Sequence, residues 1–255
     1  MMELNKIYNE DCLEGMKRIP SGSVDMILCD LPYGTTACAW DTIIPFEPLW
    51  EQYERVIKDN GAIVLTASQP FTSALIMSNP KMFKHDWVWH KSRSGSAITA
   101  RYRPIKLHED IIVFCKASPN YNPQMTKGTP YIRKESKTRE NNHKFGVQGN
   151  TNVVNKGTRY PITIQHFKQN WSRQQQLHPT QKPVALFEYL IKTYTNEGET
   201  VLDNCMGSGT TAIACMNTNR NYIGFELDKT YYEKSLKRIK EHTTQTDIFD
   251  VLEGN

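Results

Sequence analysis

The sequence has little that would mark a secreted, membrane or metal-binding protein. Its six cysteines form no C-x-x-C pair, so neither a disulfide framework nor a zinc site is indicated. No apolar run approaches the length that crosses a bilayer. The first residues, Met-Met-Glu-Leu-Asn-Lys, show no basic and apolar leader. We therefore expect a cytoplasmic protein with no membrane partner and no metal ion.

Acidic residues are scarce in the middle of the chain. The segment 116–176 holds eleven Lys or Arg and only two acids, Glu135 and Glu140, so it carries +9 of formal charge in a chain of +4. Six aromatic residues are interleaved with these charges, more than a disordered linker usually has. We interpret the segment as an irregular, partly ordered insertion that binds a polyanion. The alternative is a solvated loop that happens to be basic.

Outside this insertion, short apolar runs alternate with amphipathic segments. The runs at 24–29, 62–66 and 109–115 are typical of strands buried on both faces, and helical spacing appears at 46–58 and 183–193. The alternation predicts an α/β fold, with a mostly parallel central sheet and helices on both faces. Weaker patterns predict further strands at 4–8, 84–90, 199–202 and 221–225, and further helices at 13–19, 70–77 and 229–242.

Acidic residues follow several of these strands at the point where each one ends. They are Asp11, Asp30, Asp203 and Glu226. In open α/β sheets, ligands bind at the carboxyl ends of the strands. Each of these acids also has an ordinary interpretation as a helix cap or a solvated turn. Their repetition at successive strand ends favours a ligand site.

The sequence Asp-Leu-Pro-Tyr-Gly at 30–34 combines a carboxylate, a turn and an aromatic ring at one strand end. A carboxylate can accept a hydrogen bond from the amine of a planar ring, and a tyrosine can stack on the face of that ring. Because Pro and Gly favour turns and Asp often caps them, these five residues alone fit a plain turn as well.

A glycine-rich turn, Gly-Ser-Gly-Thr-Thr at 207–211, leads from the strand ending at Asp203 into a helix. The turn lacks the lysine of a P-loop, and Ala212 holds the third glycine position of a dinucleotide fingerprint. S-adenosylmethionine is the remaining candidate. Asp203 suits its ammonium group, the helix N-terminus its carboxylate, Glu226 its ribose hydroxyls and Asp11 its adenine amine.

Taken together, these motifs resemble the β-group DNA amino methyltransferases, in which the catalytic motif precedes the target-recognition region and the cofactor motif. Asp30-Leu31-Pro32-Tyr33 is similar to the catalytic (Asp/Asn/Ser)-Pro-Pro-(Tyr/Phe) motif, and Asp203–Thr211 to the cofactor motif D-P-F-x-G-S-G-T-T. The segments His178–Pro183 and His108-Glu109 also match. The resemblance implies a Rossmann-like methyltransferase fold with circularly permuted motif order, S-adenosylmethionine as cofactor and double-stranded DNA as substrate.

The sequence departs from the family pattern at two places. Leu31 replaces the first Pro of the catalytic motif, where the family uses only the backbone carbonyl, so we expect activity to survive. Asn204-Cys205 replaces Pro-Phe in the cofactor motif, where the family's Phe packs near the cofactor.

The resemblance also implies a mechanism and a target. Asp30 and the Leu31 carbonyl would each accept one N–H bond of an exocyclic amine, and Tyr33 would stack on the base after it flips out of the duplex. A leading Asp favours the N6 amine of adenine. The alternatives are an N4-cytosine methyltransferase, an RNA or small-molecule N-methyltransferase, and a DNA-binding module that has lost catalysis.

Three sets of site residues are expected. The expected catalytic residues are Asp30, Leu31, Pro32 and Tyr33. The expected cofactor-binding residues are Asp11, Cys12, Thr180, Lys182, Asp203, Gly207, Ser208, Gly209, Thr210 and Glu226. The expected DNA-binding residues follow from the distribution of basic charge and are Lys91, Arg93, Arg101, Arg103, Arg133, Lys134, Lys137 and Arg139. The first four lie in the acid-free segment 87–108, for which the alternative is a solvated face.

We expect four regions along the chain. They are a catalytic half at 1–115, a basic target-recognition insertion at 116–176, a cofactor-binding half at 177–243 and a polar, frayed tail at 244–255. The resemblance further suggests a homodimer and an associated restriction endonuclease as partners.

Overall fold

An eight-stranded sheet organises most of the chain in the computed structural model. The structure describes residues 2–34, 41–93, 100–133, 153–169 and 181–253. The strands are β1 (Lys6–Tyr8), β2 (Val24–Cys29), β3 (Ile57–Ala67), β4 (Phe83–Lys91), β5 (His108–Phe114), β6 (Thr126–Lys127), β7 (Tyr131–Arg133), β8 (Val153–Asn155), β9 (Thr158–Arg159), β10 (Ile164–Phe167), β11 (Thr200–Asp203) and β12 (Asn221–Phe225). The helices are α1 (Cys12–Met16), α2 (Phe46–Val56), α3 (Phe71–Ser78), α4 (Val184–Tyr194), α5 (Thr210–Asn217) and α6 (Lys229–Glu253).

The sheet has the spatial order β1-β12-β11-β2-β3-β5-β4-β10. Neighbouring strands are parallel throughout, except that β5 runs antiparallel to both β3 and β4. The predicted mostly parallel sheet is therefore confirmed. Since β1, β12, β11 and β2 are parallel neighbours, the residues that follow them meet at one edge of the sheet.

Apolar helices cover both faces of this sheet, as the sequence predicts. Helices α1, α2 and α3 pack on one face, where Met16, Tyr53 and Leu75 are fully buried. Helices α4 and α5 pack on the other face, where Leu190 and Ala214 are fully buried. The strand β2 lies between the two layers with all six residues buried, which explains its continuous apolar pattern.

Two expectations about the insertion and the tail are corrected. Strand β10 lies inside the segment predicted to be irregular, yet it pairs in parallel with β4 as the edge strand of the main sheet. Helix α6 continues to Glu253, although the residues from Thr243 are predicted to fray. No Gly or Pro interrupts this stretch, so nothing in the local sequence ends the helix.

One residue of α6 is also placed differently from the prediction. The amphipathic spacing at 229–242 predicts that Leu236 and Ile239 face the core. Leu236 is 41% exposed instead, whereas Ile239 packs against the buried cluster as predicted. Among the helices that the structure describes, none is both long and apolar enough to cross a membrane.

The chain divides into two compact units, Met1–Asn122 with Thr163–Asn255, and Pro123–Ile162. The second unit contains two antiparallel strand pairs, β6 with β9 and β7 with β8. Within it, the Arg159 guanidinium lies 4.9 Å from the Tyr131 ring centroid. The functional boundaries proposed from the sequence stay a prediction.

Candidate active site

The catalytic and cofactor motifs line the same cavity, of about 1020 Å³. Its lining includes residues that follow β1, β2, β11 and β12 at their carboxyl ends. Ligand pockets usually measure about 300–1,000 Å³, so this one has room for a nucleoside-sized cofactor and a second planar group. The lining residues used below are Asp11, Cys12, Asp30, Leu31, Tyr33, Asp41, Glu109, Lys182, Asp203, Asn204, Cys205, Gly207, Ser208, Thr210 and Glu226.

The loop 30–34 is held by burial on one side and by hydrogen bonds on the other. The Leu31 side chain is 4% exposed and belongs to the apolar core, so it anchors the position where the family has proline. The Asp41 carboxylate accepts hydrogen bonds from the backbone N–H groups of Tyr33, at 2.8 Å, and Gly34, at 2.9 Å. The buried Asp41 carboxylate thus fixes the backbone of the loop 30–34.

Three donors converge on the Asp30 carboxylate. The Tyr33 hydroxyl donates to Oδ1 at 2.8 Å, and the Thr66 hydroxyl donates to the same oxygen. The Lys182 ammonium donates to Oδ2 at 2.5 Å. Because hydrogen bonds to both oxygens fix the plane of a carboxylate, Asp30 is oriented before any substrate group meets it.

The Tyr33 ring is packed as well as hydrogen-bonded. It stacks on Phe71 with a centroid separation of 5.2 Å and an interplanar angle of 29°. The Lys182 Nζ lies 5.8 Å from the same ring centroid. Burial, reinforced by the charges of Asp30 and Glu109, raises the pKa of Tyr33 well above its ordinary value. The phenol therefore stays protonated and acts as a donor.

A buried network of alternating charges surrounds Lys182. Its side chain is 5% exposed, and Nζ lies 2.5 Å from Asp30 and 3.4 Å from Glu109 Oε2. Lys91 pairs with the other oxygen of Glu109. Burial raises the pKa of Glu109, but the charges of Lys182 and Lys91 lower it by more, so Glu109 is ionised. Burial lowers the pKa of Lys182, but Asp30 and Glu109 raise it by more, so Lys182 is charged.

The glycine-rich turn is tied to the next strand end by Glu226. One carboxylate oxygen accepts from the backbone N–H of Gly207 at 2.7 Å, and the other accepts from that of Asp228 at 2.8 Å. Gly207 and Gly209 have φ of +53° and +78°, a conformation that favours glycine. Burial raises the pKa of Glu226 above its ordinary value.

Asp203 is almost fully buried at the end of β11. It accepts from the backbone N–H of Cys205 at 3.0 Å and from the Thr211 hydroxyl. Burial raises the pKa of this carboxyl to about 7, despite those hydrogen bonds. A cationic group placed beside Asp203 would stabilise its ionised form.

Asp11 caps a helix and also lies in the cavity wall. Its Oδ1 caps α1 by accepting from the backbone N–H groups of Leu13, at 2.8 Å, and Glu14, at 3.3 Å. It also lines the cavity together with Cys12, and cofactor binding by these two residues stays a prediction. A cap that uses one oxygen leaves the second oxygen able to accept from a ligand.

Comparison with known proteins decides the family. A family model described as DNA methylase matches residues 24–237. The chain belongs to the DNA methylase family. This confirms the resemblance found in the sequence.

Individual relatives cover most of the chain. The type II methyltransferase M.HpaI of Haemophilus parainfluenzae is 27% identical over 257 residues, which span 96% of this chain and 77% of that protein. The DNA adenine methyltransferase YhdJ of Escherichia coli K12 is 28% identical, over 93% of this chain and 83% of that protein. The crystal structure of an M1.HpyAVI complex with SAM is 26% identical with a TM-score of 0.63, covering 92% of this chain and 98% of that one.

The departure of this DNA methylase from the family's cofactor motif has a structural explanation. The Asn204 Oδ1 accepts from the buried Tyr53 hydroxyl at 2.5 Å, and its Nδ2 lies 3.6 Å from the sulfur atoms of both Cys12 and Cys205. Hydrogen bonding to Cys205 and burial raise the pKa of the Cys12 thiol. The Asn204 amide and the Cys205 thiol thus replace the family's Pro-Phe, and the Cys12 thiol lies beside them.

Sequence reasoning missed two residues of this DNA methylase site. The Thr66 hydroxyl holds Asp30 of the catalytic loop, and the Arg238 guanidinium donates to the Ser208 carbonyl at 2.9 Å and to the Thr210 hydroxyl at 3.1 Å. Thr66 gives a weak signal, as the polar residue at the end of an apolar run. Arg238 gives none, because it is one of several basic residues on an amphipathic helix.

The residues expected to contact DNA differ in their solvent exposure and in their position in the fold. Lys91 is 19% exposed in its ion pair with Glu109, whereas Arg93, Arg101 and Arg103 are exposed. Arg133 ends β7 in the second compact unit. Lys134, Lys137 and Arg139, together with the expected cofactor residue Thr180, lie outside the described residues. Contact with DNA stays a prediction for all of them.

Proposed function

We propose that this DNA methylase transfers a methyl group from S-adenosylmethionine to the N6 amine of an adenine flipped out of duplex DNA. The observation that carries the proposal is the oriented Asp30 carboxylate, which lines one cavity with the glycine-rich turn. The leading Asp of the motif and the similarity to YhdJ, named a DNA adenine methyltransferase, support adenine over cytosine.

The residues of the cofactor half fit S-adenosylmethionine. Asp203 is a buried carboxylate suited to an ammonium group, and Glu226 presents a carboxylate at the next strand end for ribose hydroxyls. Asp11 suits the adenine amine, and the N-terminus of α5 suits a carboxylate. The cofactor, when bound, supplies a methyl group on a positively charged sulfur, which makes that methyl electrophilic.

The residues of the catalytic loop act on the target amine. The lone pair of an exocyclic amine is delocalised into the ring, so the amine is a poor nucleophile. Asp30 and the Leu31 carbonyl each accept one N–H bond and draw the nitrogen toward tetrahedral geometry, which frees the lone pair. Thr66 and Tyr33 keep Asp30 in place during this change. Preorganised acceptors of this kind supply much of an enzyme's rate enhancement.

Flipping a base out of the duplex costs a few kcal/mol. Contacts between phosphates and the basic segment 116–176 offset that cost, since each neutralised phosphate releases condensed counterions. The free energy of DNA binding is thereby used to bring the base into the cavity.

Nucleoside analysis tests the proposal directly. Unmethylated genomic DNA is incubated with the protein and methyl-labelled S-adenosylmethionine, then digested and separated by mass spectrometry. We expect label in N6-methyladenine, and modification-sensitive sequencing of the same DNA gives the target site. Label in N4-methylcytosine would contradict the choice of base, and label only in a parallel RNA reaction would contradict DNA as substrate.

Three finer expectations about partners and location belong to the same proposal. They are a cytoplasmic location, a homodimer and an associated restriction endonuclease, the last supported by the similarity to M.HpaI, a type II methyltransferase. Sedimentation equilibrium separates a dimer from the 29.4 kDa monomer. An endonuclease partner is supported if DNA modified by this protein resists cleavage by a nuclease encoded beside it.

A further inference from the structure

Family resemblance assigns Lys182 to the cofactor, but its ammonium lies on the base side of the cavity. Its Nζ contacts Asp30 at 2.5 Å and Glu109 at 3.4 Å, and it lies over the Tyr33 ring at 5.8 Å. These partners belong to the catalytic loop and to β5, not to the glycine-rich turn. Only its backbone carbonyl meets that turn, through the Thr210 hydroxyl at 3.4 Å.

The ammonium and the target amine need the same acceptor. Oδ1 of Asp30 already accepts from the hydroxyls of Tyr33 and Thr66, so Oδ2 is the oxygen best able to accept from an amine. Lys182 donates to that oxygen. Phe71 stacks on the Tyr33 ring, and the ammonium lies over the ring as well. A base that stacks on Tyr33 and donates to Oδ2 of Asp30 therefore competes with the ammonium for the same oxygen and the same ring.

Glu109 offers a second acceptor for the displaced ammonium. Its side chain is 14% exposed, Lys91 holds Oε1, and Oε2 faces Lys182. Oε2 is a buried oxygen that accepts no hydrogen bond from any residue the structure describes. A lysine has a flexible stem and three donors, so a small movement brings its ammonium closer to Glu109 while it stays near Asp30.

We propose that Lys182 is a positioning residue for the target base. Its ammonium holds Asp30 in place, yields Oδ2 to the incoming amine and moves to Glu109, which receives it. The inference rests on the proposed function and deepens it, because it assigns Lys182 and Glu109 to the base side of the reaction. Throughout the exchange the ammonium stays next to both carboxylates, because it contacts Asp30 and Glu109 at the same time.

Removing the ammonium separates this role from cofactor binding. For Lys182→Met, we expect the Kd for S-adenosylmethionine to stay within twofold of wild type and kcat to fall at least tenfold. The KM for a duplex carrying the mapped site should not rise, because a competitor for Asp30 has been removed. A tenfold rise in the cofactor Kd would overturn the inference and return Lys182 to the cofactor site.

A matched control is available at the other end of β2. Lys58 lies 2.5 Å from Asp25, a carboxylate that is more buried than Asp30, but neither Lys58 nor Asp25 lines the cavity. Lys58→Met should lower the melting temperature while leaving kcat and both binding constants within twofold of wild type. If Lys58→Met and Lys182→Met lower kcat equally, the loss reflects a buried unpaired acid and not positioning, and the inference fails.

Glu109→Gln tests the receiving group with a variant of the same shape. We expect a smaller fraction of the target base to enter the cavity. This should appear as a smaller fluorescence increase from 2-aminopurine at the target position, with the Kd for S-adenosylmethionine unchanged. If Glu109 acts through Lys182, the double variant with Lys182→Met is no slower than Lys182→Met alone. If the losses of kcat in the two single variants add up in the double variant, the proposed movement of the ammonium from Asp30 to Glu109 is contradicted.

Failure of the inference and failure of the proposed function give different results. Absence of methylation by the wild-type protein on any DNA overturns the proposed function and this inference with it. Methylation of adenine by the wild type, combined with a large cofactor-affinity loss in Lys182→Met, overturns only the assignment of Lys182.

Discussion

At Asp30, a single carboxylate is held by residues from three separate parts of the chain. Tyr33 comes from the same loop, Thr66 from β3 and Lys182 from the segment before α4, while the loop itself is braced by Asp41. Because two hydroxyls and an ammonium hold the carboxylate, substitutions around it should change its orientation before they change the fold.

Asp30→Ala removes the acceptor and leaves the cofactor half untouched. We expect methyl transfer to fall about 100- to 1000-fold, the usual loss when one preorganised group is removed. Binding of S-adenosylmethionine, measured by calorimetry, should stay within about threefold, because Asp30 lies on the base side. Methyl transfer that persists in this variant at near wild-type rate would show that another residue accepts from the amine.

The pKa of Asp203 predicts how cofactor affinity depends on pH. Burial raises this pKa to about 7, so the carboxyl is neutral below that pH and ionised above it. Only the ionised form attracts an ammonium group. The Kd for S-adenosylmethionine should therefore rise as pH falls below 7, approaching about tenfold per pH unit.

Asp203→Asn provides the control for that measurement. The amide keeps the shape and the contact with the Cys205 N–H but has no titrating charge. The Kd of this variant for S-adenosylmethionine should be high and nearly constant between pH 5.5 and 7.5. A wild-type Kd that does not change over this range would exclude Asp203 as the partner of the ammonium.

At the scale of elements, the glycine-rich turn at 207–211 needs a backbone conformation that few residues other than glycine adopt. Gly209 has φ of +78°, and a Cβ there would lie 3.2 Å from Ser235 of α6. The turn is also fixed by Glu226 on one side and by Arg238 of α6 on the other. A strand end, a turn and a distant helix thus act as one unit.

Gly209→Ala should strain this unit, and Gly22→Ala is its matched control. Both glycines have positive φ, but a Cβ at Gly22 meets nothing within 4 Å. Each change should cost about 1–2 kcal/mol of stability, measured by denaturant unfolding. Only Gly209→Ala should also weaken S-adenosylmethionine binding, by roughly fivefold or more, since it moves the turn. Equal cofactor affinities in the two variants would count against a role for the turn.

The elements of the sheet were predictable because their patterns are local. The buried run at 24–29 and the amphipathic spacing at 46–58 appear in the structure as β2 and α2 with small shifts in their ends. Strand β10 was not predictable, since its sequence Ile-Gln-His-Phe is short and lies in a polar segment. Its pairing with β4 is a long-range contact that no local pattern records.

The site was predictable to a similar extent. The four acids at strand ends and the glycine turn were found because chemistry and spacing mark them. The partners of Asp30 were not, because nothing in the sequence shows that a lysine 152 residues away reaches it. Family resemblance placed Lys182 beside the cofactor, and only the fold reveals the carboxylates around its ammonium.

For the whole molecule, the uneven distribution of charge matters most. The segment 116–176 carries +9, so the remaining residues carry a net negative charge. A polyanion should therefore bind to one part of the chain and be repelled weakly by the rest. Such binding weakens steeply with salt, because it is driven by counterion release.

The salt dependence of DNA binding tests this distribution. Replacing Lys134, Lys137 and Arg139 with Gln should lower the slope of log K against log salt by up to about 0.9 for each phosphate that is no longer neutralised. Replacing the exposed Lys234, Lys237 and Lys240 of α6 removes the same charge and should leave the slope unchanged. If both triple variants reduce the slope equally, net charge alone governs binding.

The position of β11 in the sheet has a consequence for how the protein is made. This strand lies between β2 and β12, and its backbone N–H at Thr200 donates to Asp25 at the start of β2. Until Thr200 has left the ribosome, β2 has an open edge of unpaired N–H and C=O groups beside the catalytic loop. Open edges of this kind promote aggregation. We therefore expect a nascent chain that stalls before β11 to present the catalytic motif on a strand with an unpaired edge, and to aggregate more readily than the complete chain.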